Sequence, residues 1–245
     1  MAMPRNARRK VAEIPVHIVQ RGVNRCATFR SQDDYVLYLG LLNELAPLFT
    51  CAIHAYVLMT NHVHVLLTPA TADGPSNLMK HLGQRYVQSF NRAHERTGPL
   101  WEGRFRSHLV DDGAYLFRCH RYIELNPVRA GMVSQPWEFP WSSYRHNAGL
   151  DSSILITAHR RYTELGPTHA DRTARYRSYF ESPPTESELA EIRHAINSGS
   201  AFGCSQFLSD LELRLGRRAR ARARGRPRRT QANVLPDGKR GLSPV

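Results

Sequence analysis

Two observations predict an α+β fold. β-branched and aliphatic runs alternate with amphipathic segments in the order β-α-β-β-α-β, and a two-residue break at Thr60-Asn61 joins the middle two strands as a tight hairpin. That order is the split βαβ, ferredoxin-like antiparallel sheet, with its first and third strands central and its helices on one face. A tyrosine-bearing helix, a helical C-terminal extension and a basic tail complete the expected architecture.

Each element has a local reason. Ile14, Val16, Ile18 and Val19 make residues 11–20 a strand, and residues 21–25 a basic, glycine-containing loop. Ser31 with Asp34 is a capping box that starts a helix running to about Phe49 through Tyr35, Leu39, Leu42 and Leu45. Residues 50–58 and 62–68 are the hairpin strands. Leu78, Leu82, Tyr86 and Phe90 repeat at helical spacing within residues 77–96, and Gly98-Pro99 stops that helix. Residues 104–110 are a fourth strand. Asp111-Asp112 caps a helix over residues 113–125, which Pro127 ends. Trp137, Pro140, Trp141 and Tyr144 mark an aromatic connector. Helices are expected at 169–180, 185–196 and 205–215, the middle one opened by a Thr185–Glu188 capping box. The expected divisions are 11–148 for the catalytic domain, 149–216 for the helical extension and 217–245 for a tail with little apolar to bury, expected to be disordered in isolation.

The chain has 245 residues, with 34 Lys and Arg against 21 Asp and Glu, a net charge of +13 that points to a polyanionic partner. No apolar run approaches the roughly 20 residues that span a bilayer. The four cysteines (Cys26, Cys51, Cys119, Cys204) form no Cys-x-x-Cys pair, which argues against a structural zinc or a disulfide framework and fits a reducing cytoplasm.

The chemistry centres on residues 58–67. His62 and His64 are two apart on the third strand, so both point to one face, roughly 7 Å apart at Cα. Val63, Val65 and Leu67 point the other way, into a core. Two neutral imidazoles can hold a divalent cation and leave positions open for a phosphate oxygen. Two surface histidines on a half-exposed sheet would give the same pattern. On the helix downstream, Tyr122 offers a phenol nucleophile and Asn126, one turn on, an amide oxygen for a hard cation such as Mg²⁺ or Mn²⁺. A tyrosine packed beneath the connector and a plain helix stop are the structural alternatives. Arg21, Arg25, Arg85, Arg92, Arg104, Arg106 and Arg129 can track a phosphate backbone, and Trp101, Phe105 and Tyr86 can stack bases. Arg226, within Arg224–Arg228, sits in a short motif similar to an AT-hook.

His62-Val63-His64 resembles the HUH motif, in which two histidines flank a bulky apolar residue. Residues 122–131, Tyr-Ile-Glu-Leu-Asn-Pro-Val-Arg-Ala-Gly, resemble the tyrosine segment of single-tyrosine transposases. Leu100-Trp101-Glu102-Gly103-Arg104-Phe105 and Trp141-Ser142-Ser143-Tyr144 resemble further segments of that family. The nearest branch is the REP-associated tyrosine transposases, relatives of insertion-sequence enzymes, and the resemblance covers roughly residues 14–144. It implies a ferredoxin-like fold and cleavage and joining of single-stranded DNA near hairpins. It implies Tyr122 as nucleophile, leaving a 5′-phosphotyrosine, and a divalent metal on His62 and His64. Insertion-sequence relatives often carry Gln four residues after the tyrosine, where this chain has the shorter Asn126. A domesticated relative that holds hairpins without turnover would carry the same motifs. A replication-initiator or relaxase nuclease of the HUH group would bring larger domains and a histidine cluster.

Overall fold

The computed structural model describes residues 8–220, so Arg226 and the tail from residue 221 lie outside the described residues; the first residues of the expected disordered tail are instead packed, with Ala219 buried and Arg220 paired with Glu212 at 2.5 Å. Its centre is a four-stranded antiparallel sheet of β1 (Val16–Arg21), β2 (Cys51–Met59), β3 (His62–Pro69) and β4 (Arg106–Leu109), in the order β2-β3-β1-β4. This is the expected split arrangement, with β1 and β3 central. β1 begins at Val16 rather than residue 11, because Glu13 adopts a positive φ in a turn and Pro15 precedes the ladder. β4 is two residues shorter at its start and one at its end than the sequence suggests.

One face of the sheet carries α1 (Gln32–Leu48) and α2 (Gly74–Ala93). Val16, Ile18, Val63, Val65 and Leu67 pack there against Leu42, Leu78, Leu82 and Tyr86. The Ser31–Asp34 capping box closes α1 as expected, with both reciprocal bonds formed. α2 starts three residues before the predicted point because Pro75 is tolerated in a first turn, where no N–H is missed.

The opposite face carries α3 (Ala114–Glu124), which lies over β2 and β3. Its N-cap is Gly113, not an aspartate. Asp111 instead accepts the amide N–H groups of Gly113 at 3.0 Å and Cys204 at 3.1 Å, tying the C-terminal extension to the start of α3. α3 breaks at Leu125 and resumes as the single turn α4 (Asn126–Arg129), where Pro127 occupies a first-turn position. The tyrosine helix thus stops before Pro127, as expected, and Pro127 sits in the first turn of the next helix.

The remaining helices are α5 (Tyr144–Asn147), α6 (Arg160–Thr163), α7 (His169–Ser178), α8 (Glu186–Ser198) and α9 (Ser205–Leu215). The connector and extension close both sheet edges. Leu58 donates to the Trp141 carbonyl beside β2, and Phe202 donates to the Leu109 carbonyl beside β4. α8, opened by the Thr185–Glu188 capping box, packs on β4 and α3.

Candidate active site

Strand alternation selects the residues of the site. In β3, His62, His64 and Leu66 face α3, while Val63 and Val65 enter the other core. β1 runs antiparallel beside it with Val19 opposite His64 and Arg21 opposite His62, so His17, Val19 and Arg21 share the α3 face. β4 adds Arg106 opposite Val19 and His108 opposite His17. One sheet face thus gathers four histidines and two arginines.

The two HUH-type histidines have ring centroids 5.1 Å apart at 76°. Each has its Nδ1 engaged: His62 with Asn61 Oδ1 at 2.7 Å and His64 with His17 Nε2 at 2.8 Å. Nε2 is the open nitrogen of both rings. Burial, with Arg21 adding, pushes the His62 pKa down to about 4. Burial, then His62 and Arg129, lowers that of His64 well below the usual range. Both rings are therefore neutral at pH 7, the form that ligates a cation. Neutral imidazoles with open Nε2 atoms fit a divalent ion. Among the described residues no group of three or more His, Cys, Asp or Glu is arranged as a metal site, so further donors to such an ion would have to be amide, water or phosphate oxygens.

Tyr122 comes to this pair from α3. Its ring centroid lies 5.8 Å from that of His64 and 6.1 Å from that of His17. Arg129, on α4, places its guanidinium 4.6 Å from the centroid of the Tyr122 ring and donates from Nη2 to the Tyr122 carbonyl at 2.7 Å. Its Nη1 is buried with no partner among the described residues, a donor held beside the phenol. Burial raises the Tyr122 pKa, and Arg129, Arg193 and Arg21 oppose the rise. Three guanidiniums thus favour the phenolate that nucleophilic attack requires. Tyr115, two turns earlier, instead stacks edge-on to Phe202 at 4.8 Å under Arg118.

The other expected residues divide. Asn126 opens α4, half-buried, one turn beyond Tyr122. Arg25 is exposed beside Asn61, whose amide donates to the Arg25 carbonyl. Arg21, Arg104 and Arg106 line a cleft of about 350 Å³ at this end of the sheet. Arg85 is not part of this face: it projects from α2 and pairs with Glu44 of α1 at 2.5 Å. Trp101 is no stacking platform either. Only 8% exposed, it packs in the α1–α2 core against Tyr38 and Tyr86. Tyr86 is fully buried, with its hydroxyl donating to the Thr28 carbonyl.

Sequence reading missed His17, His108, Arg193 and Glu124. The alternation His17-x-Val19-x-Arg21 carried the signal for the first. Arg193 comes from the extension, and no local pattern ties it to Tyr122. Glu124 is a buried carboxyl whose oxygens accept from Ser143 Oγ at 2.5 Å, Asn147 Nδ2 at 2.8 Å and the Tyr176 hydroxyl at 2.6 Å. It fastens α3, two residues past Tyr122, to the connector and to α7.

Known proteins resemble this chain in sequence and in fold. Residues 10–126 match the model of the IS200-like transposase family. A REP-associated tyrosine transposase named in Haemophilus influenzae is 26% identical over 103 residues, 38% of this chain and 58% of the relative. The chain thus matches little more than half the length of that relative. A solved REP-associated tyrosine transposase bound to a REP hairpin superposes with a TM-score of 0.50 at 19% identity, over 64% of this chain and 93% of that one, and shows the shared fold. A transposase structure from Deinococcus radiodurans gives a TM-score of 0.35 at 16% identity, over 53% and 92% of the two chains.

Proposed function

We propose that this chain, which matches the IS200-like transposase family model over residues 10–126, is a single-strand DNA transposase that cleaves and rejoins DNA beside hairpins. The observation that carries the reading is the placement of Tyr122 over His64, with the Arg129 guanidinium against its ring. The hairpin held by the related solved structure supports the substrate class. Its setting is the cytoplasm, at the nucleoid; no helix among the described residues is long and apolar enough to cross a membrane.

In the proposed reaction the Tyr122 oxygen attacks a backbone phosphorus. A P–O bond to tyrosine forms and the bond to the 3′ oxygen breaks, giving a 5′-phosphotyrosine and a free 3′-OH. The phenol loses its proton and the departing 3′ oxygen gains one. A second 3′-OH reverses the exchange and joins strands, because the ester conserves the bond energy. Mg²⁺ or Mn²⁺, held by Nε2 of His62 and His64 with the Asn126 amide oxygen, would supply Lewis-acid polarisation of the phosphate. His17 and Asn61 orient the two imidazoles. Arg129 and Arg21 stabilise the phenolate, and Arg129 Nη1 is the donor available to a phosphate oxygen.

The test is a denaturing gel of protein with labelled hairpin DNA and Mn²⁺. Wild type forms a covalent adduct and joined strands. Tyr122→Phe loses both while binding the hairpin as before, and Tyr115→Phe retains both. An adduct that survives Tyr122→Phe and disappears with Tyr115→Phe removes the assignment. Tight hairpin binding by wild type with no adduct under Mg²⁺ or Mn²⁺ makes the protein a hairpin-binding module instead.

A further inference from the structure

Three strands of the sheet each bring one buried histidine to the α3 face, in a row: His64 of β3, His17 of β1 and His108 of β4. His17 lies opposite His108 in the antiparallel register of β1 and β4. Its ring stacks on His64, centroids 5.1 Å apart at 26°, and meets His108 edge-on, centroids 4.8 Å apart at 78°. The same layer is otherwise apolar, through Val19, Leu66, Leu116 and Ile123. Each imidazole nitrogen there that lacks a partner costs desolvation.

Hydrogen bonds are unevenly shared along the row. His17 Nε2 and His64 Nδ1 lie 2.8 Å apart, with one proton between them. His17 Nδ1 and both nitrogens of His108 are buried with no partner among the described residues. Gln20 Oε1 is a further unpartnered acceptor on β1, but Gln20 shares the parity of Ile18, which packs on the α1–α2 side of the sheet. Tyr122 is farther from His17 than His108 is, at 6.1 Å between centroids.

A bound cation dictates where the protons sit. His64 presents its Nε2 lone pair only with its proton on Nδ1, donated to His17 Nε2. A neutral His17 that accepts at Nε2 carries its own proton on Nδ1. That buried N–H needs an acceptor. His108 is the ring beside it, and burial lowers its pKa to about 3, so at pH 7 one of its nitrogens offers a lone pair. No hydrogen bond holds the His108 ring as it stands, so turning it about Cβ–Cγ breaks nothing. Phe202, beyond the family match, backs that ring edge-on at 6.4 Å between centroids. Without a cation, His17 and His64 take whichever pair of tautomers costs less; with one bound they have no choice. Loss of the acceptor therefore penalises the bound form more than the free form.

We infer that His108 is a positioning residue of the metal centre: it accepts the His17 Nδ1–H and, through His17, keeps His64 Nε2 free for the cation. The inference rests on the metal reading of His62 and His64 above. It gives β4, the short edge strand that α8 covers, a part in metal binding although no residue of β4 touches the cation.

Two measurements on the full chain without DNA test it. Long-range proton–nitrogen spectra of histidine-labelled wild type under saturating Mg²⁺ show which ring nitrogens carry protons. His64 and His17 should both be protonated at Nδ1 and bare at Nε2. A His17 proton on Nε2 overturns the inference, whatever the stability of any variant. Mn²⁺ affinity, read by electron paramagnetic resonance, then compares variants whose melting curves show the fold retained. His108→Leu should weaken binding about tenfold, and His108→Gln, whose amide offers an acceptor, should recover most of the loss. Because His108 acts through His17, adding His108→Leu to His17→Phe should cost no more than about twofold beyond His17→Phe alone. Wild-type affinity in His108→Leu, or losses that multiply in the double variant, makes His108 a packing residue and overturns the inference while the metal reading stands. A wild type that binds neither ion removes the metal reading, and this inference with it.

Discussion

His17 shows how much a single buried residue decides. It carries no charge at pH 7, because burial, then His108 and His64, lowers its pKa well below the usual range. Its Nε2 meets His64 Nδ1 at 2.8 Å. For His64 Nε2 to present a lone pair to a cation, the proton must sit on Nδ1 and be donated to His17. His17→Phe preserves a ring in the same space and removes the acceptor, leaving a buried N–H orphaned. Mn²⁺ affinity, read by calorimetry or electron paramagnetic resonance without DNA, should fall about 10–100-fold. His17→Gln, with an amide oxygen, should recover part of the loss. Hairpin affinity should hold in both, since arginines dominate it. Equal Mn²⁺ affinity in wild type and His17→Phe would show that the pair is packing alone. His17 was legible in principle: it stands at the same parity as Val19 and Arg21 on a strand already recognised. What the sequence does not show is register, and only the pairing of β1 with β3 puts its ring against His64 rather than a neighbour.

The element that matters most is α3, and its hold on the sheet runs through Glu124. Ser143 Oγ donates to Glu124 and also accepts the Tyr56 amide of β2 at 2.9 Å, while Tyr176 of α7 closes the other side. Glu124→Ala orphans three buried donors. The expected loss is about 2–4 kcal/mol, a fall of roughly 5–15 °C in Tm for a chain of this size. Glu124→Gln keeps one acceptor oxygen and should cost less than half as much. Thermal melts of the two variants decide this, and a Glu124→Ala protein melting with wild type would mean that solvent already reaches the carboxyl. The network explains the Trp-Ser-Ser-Tyr segment, whose serine is a bridge and whose tyrosine packs with Phe180 at 4.8 Å. Elements were legible where the signal is local, as in the capping boxes of α1 and α8 and the Thr60-Asn61 turn. They were misread where tertiary contacts override a local rule: Asp111 bonds Cys204 instead of capping α3, and Trp101 fills a core instead of meeting solvent.

At the scale of the molecule, six described histidines are buried: His17, His54, His64, His108, His120 and His159. Five of them lie off the proposed metal pair, and burial depresses the pKa of all five. Burial lowers His54 to about 4, His108 to about 3 and His120 well below the usual value of 6.5. A depressed histidine pKa means that the unfolded chain binds the proton first. The stability tied to these neutral rings is therefore fully present above pH 6.5 and is lost as pH falls toward 4 and below. Glu124 works in the opposite sense. Burial raises it to about 7 against hydrogen bonds that pull it down, so its contribution is present below about 4.5 and lost as pH rises through 7. Between pH 6 and 5 the unfolded chain therefore binds several histidine protons against the one that Glu124 holds in the folded state. The balance is a loss of stability on acidification, at about 1.4 kcal/mol per pH unit for each net proton. Urea unfolding of the metal-free protein at pH 7, 6 and 5 measures it. Glu124→Gln removes the opposing proton, so its stability should fall more steeply with acid than that of wild type, by about 1.4 kcal/mol per unit near pH 5.5, whatever its stability at pH 7. A flat profile from pH 7 to 5 would mean that these rings are hydrated in the folded protein. A slope unchanged by Glu124→Gln would mean that Glu124 is ionised there, and the network that holds α3 would then be anchored by a charge rather than by a shared proton.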